Sequence, residues 1–186
     1  MRIAKLSSSL LVVLGFVFSP YIQTARSEAI KLDVPFVATP QVVVDKMLEL
    51  ANVTKNDFLI DLGSGDTAAR RFGIKAMGVD INPDRVHEAK VNAVNARVAD
   101  MVEFRKQNLF ETEISKATVL TLYLLPRLNL ELRPRILSEL KPGTRVVSHA
   151  FNMGDWKPDK EVIVEGRTIY LWTVPGKDTA TSGDPG

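Results

Sequence analysis

The chain has 186 residues, of which 45% are hydrophobic, 25% charged and 7% aromatic, with 11 Gly, 10 Pro and no Cys. That composition excludes collagen-like, disulfide-scaffold and wholly disordered chains, and the length fits one domain with a short appendage. The formal net charge of +2 arises from 24 basic and 22 acidic residues, and the N-terminus accounts for the excess.

Met1-Arg2-Ile3-Ala4-Lys5 is basic, Leu10 to Phe18 is apolar apart from Gly15, and Ala25-Arg26-Ser27 sets small residues before Glu28. This is the layout of a secretory signal with cleavage after Ser27. The apolar stretch is too short for a relaxed membrane span of about 20 residues, and an uncleaved membrane anchor is the other reading. The expected location is accordingly exported, periplasmic or membrane-anchored. Residues 1–27 are set apart from a domain at 28–176 and from a small, polar, disordered tail at 177–186. Loss of Arg2, Lys5 and Arg26, with no acid, brings the domain close to neutral, so no nucleic-acid partner is expected. Without Cys there is no disulfide and no thiolate metal site. His87 and His149 are too distant to suggest a ligand set, and no metal is expected.

Residues 28–38 read as an irregular lead-in. Thr39-Pro40 predicts a helix N-cap and first helical residue, after which Val43, Met47, Leu50 and Ala51 recur at helical spacing. Phe58 to Ile60 is a strand that runs into the turn Asp61-Leu62-Gly63-Ser64-Gly65-Asp66, and Ala76 to Ile81 is a second strand with Asp80 near its end. Pro83 to Arg97 carries Val86, Ala89, Ala93 and Val94 on one helical face. Val102–Phe104, Thr118–Leu124 and Thr144–Ser148 are further strands. Between the last two, Leu132, Ile136 and Leu140 mark a helix that Pro134 should start or kink and Lys141-Pro142-Gly143 stops. Glu161–Val164 and Thr168–Val174 form a hairpin around Glu165-Gly166-Arg167. The alternation predicts an α/β, Rossmann-like, doubly wound, mostly parallel seven-stranded sheet with a C-terminal antiparallel hairpin.

In such a sheet ligands sit at the carboxyl ends of the strands where the strand order reverses. The glycine turn occupies that place, and Asp80 can accept two hydrogen bonds from a ribose diol. Together they point to a nucleoside site, although Gly63 and Gly65 making only a tight turn, with Asp80 capping the next helix, would also fit. Gly63 to Ala68 fits the dinucleotide pattern too. A pyrophosphate wants an uncharged turn, however, and Asp61 and Asp66 bracket this one. Two carboxylates suit a cation, and S-adenosylmethionine offers an ammonium and a sulfonium.

From about Pro35 to Pro175 the chain resembles the class I, seven-stranded S-adenosylmethionine-dependent methyltransferases. Within them it is most similar to the small lysine N-methyltransferases whose eukaryotic members modify the ATP synthase c subunit and the adenine nucleotide translocase. The resemblance is carried by Val34-Pro35-Phe36-Val37 with Thr39-Pro40, by Asp61 to Asp66, and by Gly78-Val79-Asp80-Ile81-Asn82-Pro83. It continues through Asn108-Leu109-Phe110, Tyr123-Leu124-Leu125-Pro126, Asp155-Trp156-Lys157-Pro158-Asp159 and Glu165-Gly166. It implies that Asp61, Gly63 and Gly65 face the amino-acid part of S-adenosylmethionine, that Asp80 holds the ribose, and that Asn108 lies near the adenine. The family more often has Asp at that last place. Family members also continue the glycine turn into a full helix, whereas here Asp66 runs into Thr67-Ala68-Ala69-Arg70-Arg71-Phe72-Gly73. Six helical residues rise about 9 Å, against about 16 Å for a five-residue strand. A strained or loose crossover and reduced cosubstrate affinity are the expectation.

Methyl transfer to an amine is an in-line displacement that requires a held, deprotonated nitrogen more than strong acids or bases. Tyr123, at the end of the fourth strand, is the candidate catalytic residue. Its hydroxyl can accept from the amine, although a core tyrosine satisfied elsewhere is equally compatible. Phe36 and Trp156 are candidate lid or channel residues, with core packing as their alternative, and Asn129 is a candidate for orienting substrate. His149 after Ser148 lacks the G-x-S-x-G context of a hydrolase nucleophile, and His87 reads as an exposed helix residue. The expected activity is methyl transfer to a lysine of a protein partner. The alternatives are a degenerate relative with weakened or lost cosubstrate binding and a small-molecule methyltransferase, with membrane association possible through the N-terminal segment.

Overall fold

The computed structural model describes residues 38–63 and 73–176. Residues 1–27, expected above to be an export or anchoring segment, Phe36, Gly65, the short stretch Thr67 to Phe72 and residues 177–186 lie outside the described residues.

The elements run α1 (Gln41–Leu50), β1 (Phe58–Asp61), β2 (Lys75–Asp80), α2 (Pro83–Asn95), β3 (Val102–Lys106), a 3-10 turn (Leu109–Glu111), β4 (Val119–Leu122), α3 (Pro126–Glu139), β5 (Arg145–His149), β6 (Lys160–Val164) and β7 (Arg167–Thr173). They build a 7-stranded sheet in the order β3-β2-β1-β4-β5-β7-β6. The pairs from β3 to β5 are parallel, and β7 runs antiparallel to both β5 and β6. The predicted alternation and closing hairpin are thus both present. Glu165 and Gly166 have φ of 48° and 74°, the consecutive left-handed residues of a tight hairpin turn.

Each face of the sheet buries its own layer. On one side Val43, Met47 and Leu48 of α1 and Val86, Ala89 and Ala93 of α2 pack with Leu59, Ala76, Val119, Val147 and Ile169. On the other, Leu128, Leu132 and Ile136 of α3 pack with Ile60, Leu120, Leu122, Val146 and Trp172. The connection from Asp61 to Lys75 is only roughly the dozen residues that a parallel crossover needs. Even so β1 and β2 keep unbroken register from Phe58↔Lys75 to Asp61↔Gly78.

Two local expectations change. Thr39 does not cap α1: Pro40 holds the N-cap position without a side-chain bond, and the Thr39 hydroxyl lies 3.2 Å from His149 Nδ1. Pro134 does not start α3, which begins at Pro126, but sits inside it. Proline fits the first turn of a helix, where its missing N–H has no partner to lose.

The amino ends of the strands are clamped by one buried acid. Asp57 Oδ1 accepts from Thr118 Oγ1 (2.7 Å) and from Arg145, and Oδ2 accepts from the Thr54 amide (2.7 Å). Thr118 in turn accepts from the Phe58 amide at 2.9 Å, so the clamp joins β1, β4 and β5. Burial alone raises the Asp57 pKa, but the bonds from Thr118, Thr54 and Arg145 outweigh it and hold the carboxyl below its usual 3.8. A depressed carboxylate contributes stability above its unfolded value and loses it as pH falls through the folded one. Asp57→Ala should lower unfolding free energy by about 3 kcal/mol, the low end for breaking a buried pair, because Arg145 keeps 24% side-chain exposure. Urea denaturation at neutral pH measures this, and the loss should shrink toward the acid limb, where wild-type Asp57 is itself protonated.

Candidate functional site

Strand order reverses between β1 and β4: from β1 the chain winds outward through β2 and β3, then returns to β4 and winds the other way to β5. The crevice this leaves at the carboxyl ends is where such sheets bind ligands. Register pairs Asp61 with Gly78 and with Thr121. With side chains alternating along each strand, Asp61, Asp80, Thr121 and His149 share the face covered by α1 and α2.

Asp61 opens the glycine turn by accepting from the Gly63 amide through Oδ1 at 2.8 Å. A Cβ placed on Gly63 would meet Asp61 Oδ1 at 3.6 Å, and no other atom of the described residues within 4 Å. Asp80 accepts from the Asn82 amide through Oδ1 (2.8 Å), and its carbonyl accepts from the Gln107 amide. Its other carboxylate oxygen makes no bond among the described residues. The helix cap belongs to Asn82, whose Oδ1 accepts from the Asp84 amide at 2.9 Å, so capping does not account for Asp80. Asn108 follows β3; its Oδ1 accepts from the Phe110 amide (3.0 Å) and its Nδ2 donates to Glu111 Oε1 (3.3 Å). The amide oxygen has one lone pair left for a donor such as an adenine amino group.

Tyr123 lies just past β4, half-buried, with its ring centroid 3.9 Å from that of His149 and 6.4 Å from that of Phe151. Its hydroxyl makes no hydrogen bond among the described residues. Asn129 is fully buried on α3, and its Nδ2 donates to Ser148 Oγ (3.2 Å), the Phe151 carbonyl (3.1 Å) and the Asn152 carbonyl (3.4 Å). Its nitrogen braces the end of β5 and the loop after it, which holds the residue in the α3 layer and away from the crevice, while its Oδ1 is buried with no hydrogen-bond partner among the described residues. Trp156 is likewise not brought to the crevice. Its ring tilts against Trp172 at 5.8 Å, and its carbonyl accepts from Trp172 Nε1 at 2.8 Å, in the layer on the α3 side. The structure therefore gathers Asp61, Gly63, Asp80, Asn108 and Tyr123 at one edge and leaves Asn129 and Trp156 in the packing.

His149, which sequence reasoning weighed only as a hydrolase nucleophile and set aside, stands at the site. It is 1% exposed, and burial, then the charge of Arg167, depresses its pKa below the usual 6.5. A buried polar residue closing an apolar strand was the available signal; the tie to Thr39 had none, being remote in sequence.

Fold and site together define an S-adenosylmethionine-dependent methyltransferase. The residues fit the cosubstrate: an acid with an uncommitted oxygen at the end of β2, a glycine after β1, and carboxylates in place of phosphate-binding groups. Residues 61–160 match the family described as ANTKMT methyltransferase domain. The chain is 44% identical over 151 residues to the protein-lysine N-methyltransferase of Saccharolobus islandicus (strain REY15A), covering 76% of this chain and 94% of that one. It is 29% identical over 163 residues to the adenine nucleotide translocase lysine N-methyltransferase of Mus musculus, covering 84% and 70%. Its backbone matches the crystal structure of an RNA methyltransferase from Salinibacter ruber in complex with S-adenosyl-L-homocysteine, with a TM-score of 0.74 and 55% identity over 76% of this chain and 95% of that one. The chain belongs to the ANTKMT methyltransferase family, which favours an active enzyme over a degenerate relative.

Because the folded pKa of His149 lies below its unfolded value, neutral His149 stabilises the fold fully above pH 6.5, and that contribution is lost as pH falls through the folded value. Thermal melts should show the wild type losing stability more steeply below pH 6.5 than His149→Phe, which has nothing to protonate.

Proposed function

We propose that this methyltransferase acts on lysine side chains of proteins. The observation that carries the reading is the 44% identity to an archaeal protein-lysine N-methyltransferase across 94% of that protein. In this reading Asp80 holds the ribose, Asp61 and the turn at Gly63 and Gly65 receive the amino-acid end, and Asn108 borders the adenine. Tyr123 stands beside the acceptor nitrogen.

S-adenosylmethionine, when bound, supplies a methyl group activated by its sulfonium. The chain's own task is to present an amine with a free lone pair. A lysine brought against the Tyr123 ring leaves water, which disfavours its charged form and lowers its pKa. The Tyr123 hydroxyl, with no partner of its own among the described residues, accepts a hydrogen bond from the amine and orients it. No strong general base is required: the ammonium proton departs to solvent before the in-line transfer, and the proton carried by the newly methylated nitrogen departs after it.

A second reading has its own observation: the Salinibacter ruber relative at 55% identity is named an RNA methyltransferase. Incubation with tritiated S-adenosylmethionine, protein and RNA separates the two. Label is expected on lysine after acid hydrolysis of protein; label confined to RNA overturns the lysine reading. Asp80→Asn, whose amide oxygen can still accept from the Asn82 amide, should weaken S-adenosylmethionine binding by about tenfold, the loss of a charged hydrogen bond, as read by calorimetric titration.

The same reading takes residues 1–27 as an export or anchoring segment; among the described residues no helix is long and apolar enough to cross a membrane. Fractionation of the tagged full chain should recover it with the periplasm or the membrane, and recovery in the cytosol alone would contradict that.

A further inference from the structure

His149 takes no part in the methyl transfer derived above, yet it makes the tightest ring contact in the described structure. Its centroid stands 3.9 Å from that of Tyr123, against 5.7 Å for Tyr170 with Trp172 and 5.8 Å for Trp156 with Trp172. Tyr123 needs such a neighbour. β4 ends at Leu122, so no sheet ladder fixes the Tyr123 backbone, and its hydroxyl is held by nothing in the described residues.

The chain around His149 is itself over-determined. Ala150 has φ +66°, and the Phe151 amide donates to the His149 carbonyl at 2.9 Å, the signature of a strained γ-turn. The turn is held by the bond from the Ala150 amide to the Thr168 carbonyl (2.8 Å) and by Asn129, which donates to the Phe151 carbonyl. Its effect is to set His149 and Phe151, on either side of one residue, both against the Tyr123 ring. On its other side the His149 ring reaches Thr39 at the start of α1. Strain of this kind persists where the surroundings enforce it, and it concentrates at working sites.

We propose that His149 is a positioning residue for methyl transfer: its ring, set by the γ-turn at Ala150 and tied to Thr39, holds Tyr123 in the orientation that meets the acceptor amine. The inference rests on the role given to Tyr123 above. A ring allowed to swing about χ1 would carry the hydroxyl away from the in-line geometry, and small misplacements there are costly to rate. The cosubstrate contacts at Asp61 and Asp80 are made by other residues and do not depend on it.

The test is a set of kinetic comparisons with a lysine-rich synthetic peptide as acceptor, alongside S-adenosylmethionine affinity and melting temperature for each variant. His149→Asn, which removes the ring, should lower kcat about tenfold with cosubstrate affinity unchanged. His149→Phe, which keeps a ring against Tyr123, should retain kcat within about threefold. In a Tyr123→Phe background His149→Asn should cost nothing further, because the hydroxyl it positions is gone. A purely structural role would instead lower folded fraction and cosubstrate binding together. The proposal is overturned if folded His149→Asn keeps wild-type kcat, if its cost is the same with and without the Tyr123 hydroxyl, or, should His149→Asn fail to fold, if folded His149→Phe loses as much kcat as Tyr123→Phe. A silent Tyr123→Phe would overturn the role of Tyr123 itself, a result distinct from failure at His149 alone.

Discussion

The structure depends on β1 being held in parallel register between β2 and β4. That placement creates the reversal of strand order, and the reversal leaves a crevice at the carboxyl ends of β1 and β2, where Asp61 and Asp80 stand. The register is secured at the opposite ends of the strands, where Asp57 links Thr118 and Arg145 beneath β1, β4 and β5. The clamp ties β1 to β4 and β5, while the pairing of β1 with β2 rests on their own ladder, across a crossover close to the shortest that a parallel pair allows.

The two layers of the fold divide the labour. The α3 side is mostly packing, with Trp156 and Trp172 sealing it and Asn129 holding the loop after β5. The α1 and α2 side carries the chemistry at its upper edge, where Asp61, Asp80, Tyr123 and His149 stand on neighbouring strands. Methyl transfer needs little beyond this, since alignment and desolvation of a nucleophile accomplish what acid and base groups do elsewhere.

The alternation of strands and helices, the closing hairpin and the acids at the ends of β1 and β2 were legible in the sequence because they follow from local periodicity and from turn residues adjacent in the chain. Thr39 was misread as a cap because that residue type favours caps, while its actual partner is an imidazole from the far end of the domain. For Trp156 the structure takes the packing alternative, and Asn129 is likewise drawn into the α3 layer. Proximity to a strand end says which edge a residue is near, but which face its side chain takes is decided by packing, here the tilt of Trp156 on Trp172 and the carbonyls that Asn129 serves. His149 was weighed only as a nucleophile, because its contact with Tyr123 and its tie to Thr39 join residues remote in sequence.

The central claim is that the carboxyl ends of β1 and β2 form a working nucleoside pocket in this chain. A crystal structure of the protein grown with S-adenosyl-L-homocysteine tests it most directly. The account predicts the ligand in the crevice with its ribose diol on the Asp80 carboxylate and its amino-acid end against the Gly63 backbone; an empty crevice at saturating ligand, with Asp80 turned to solvent, would contradict it.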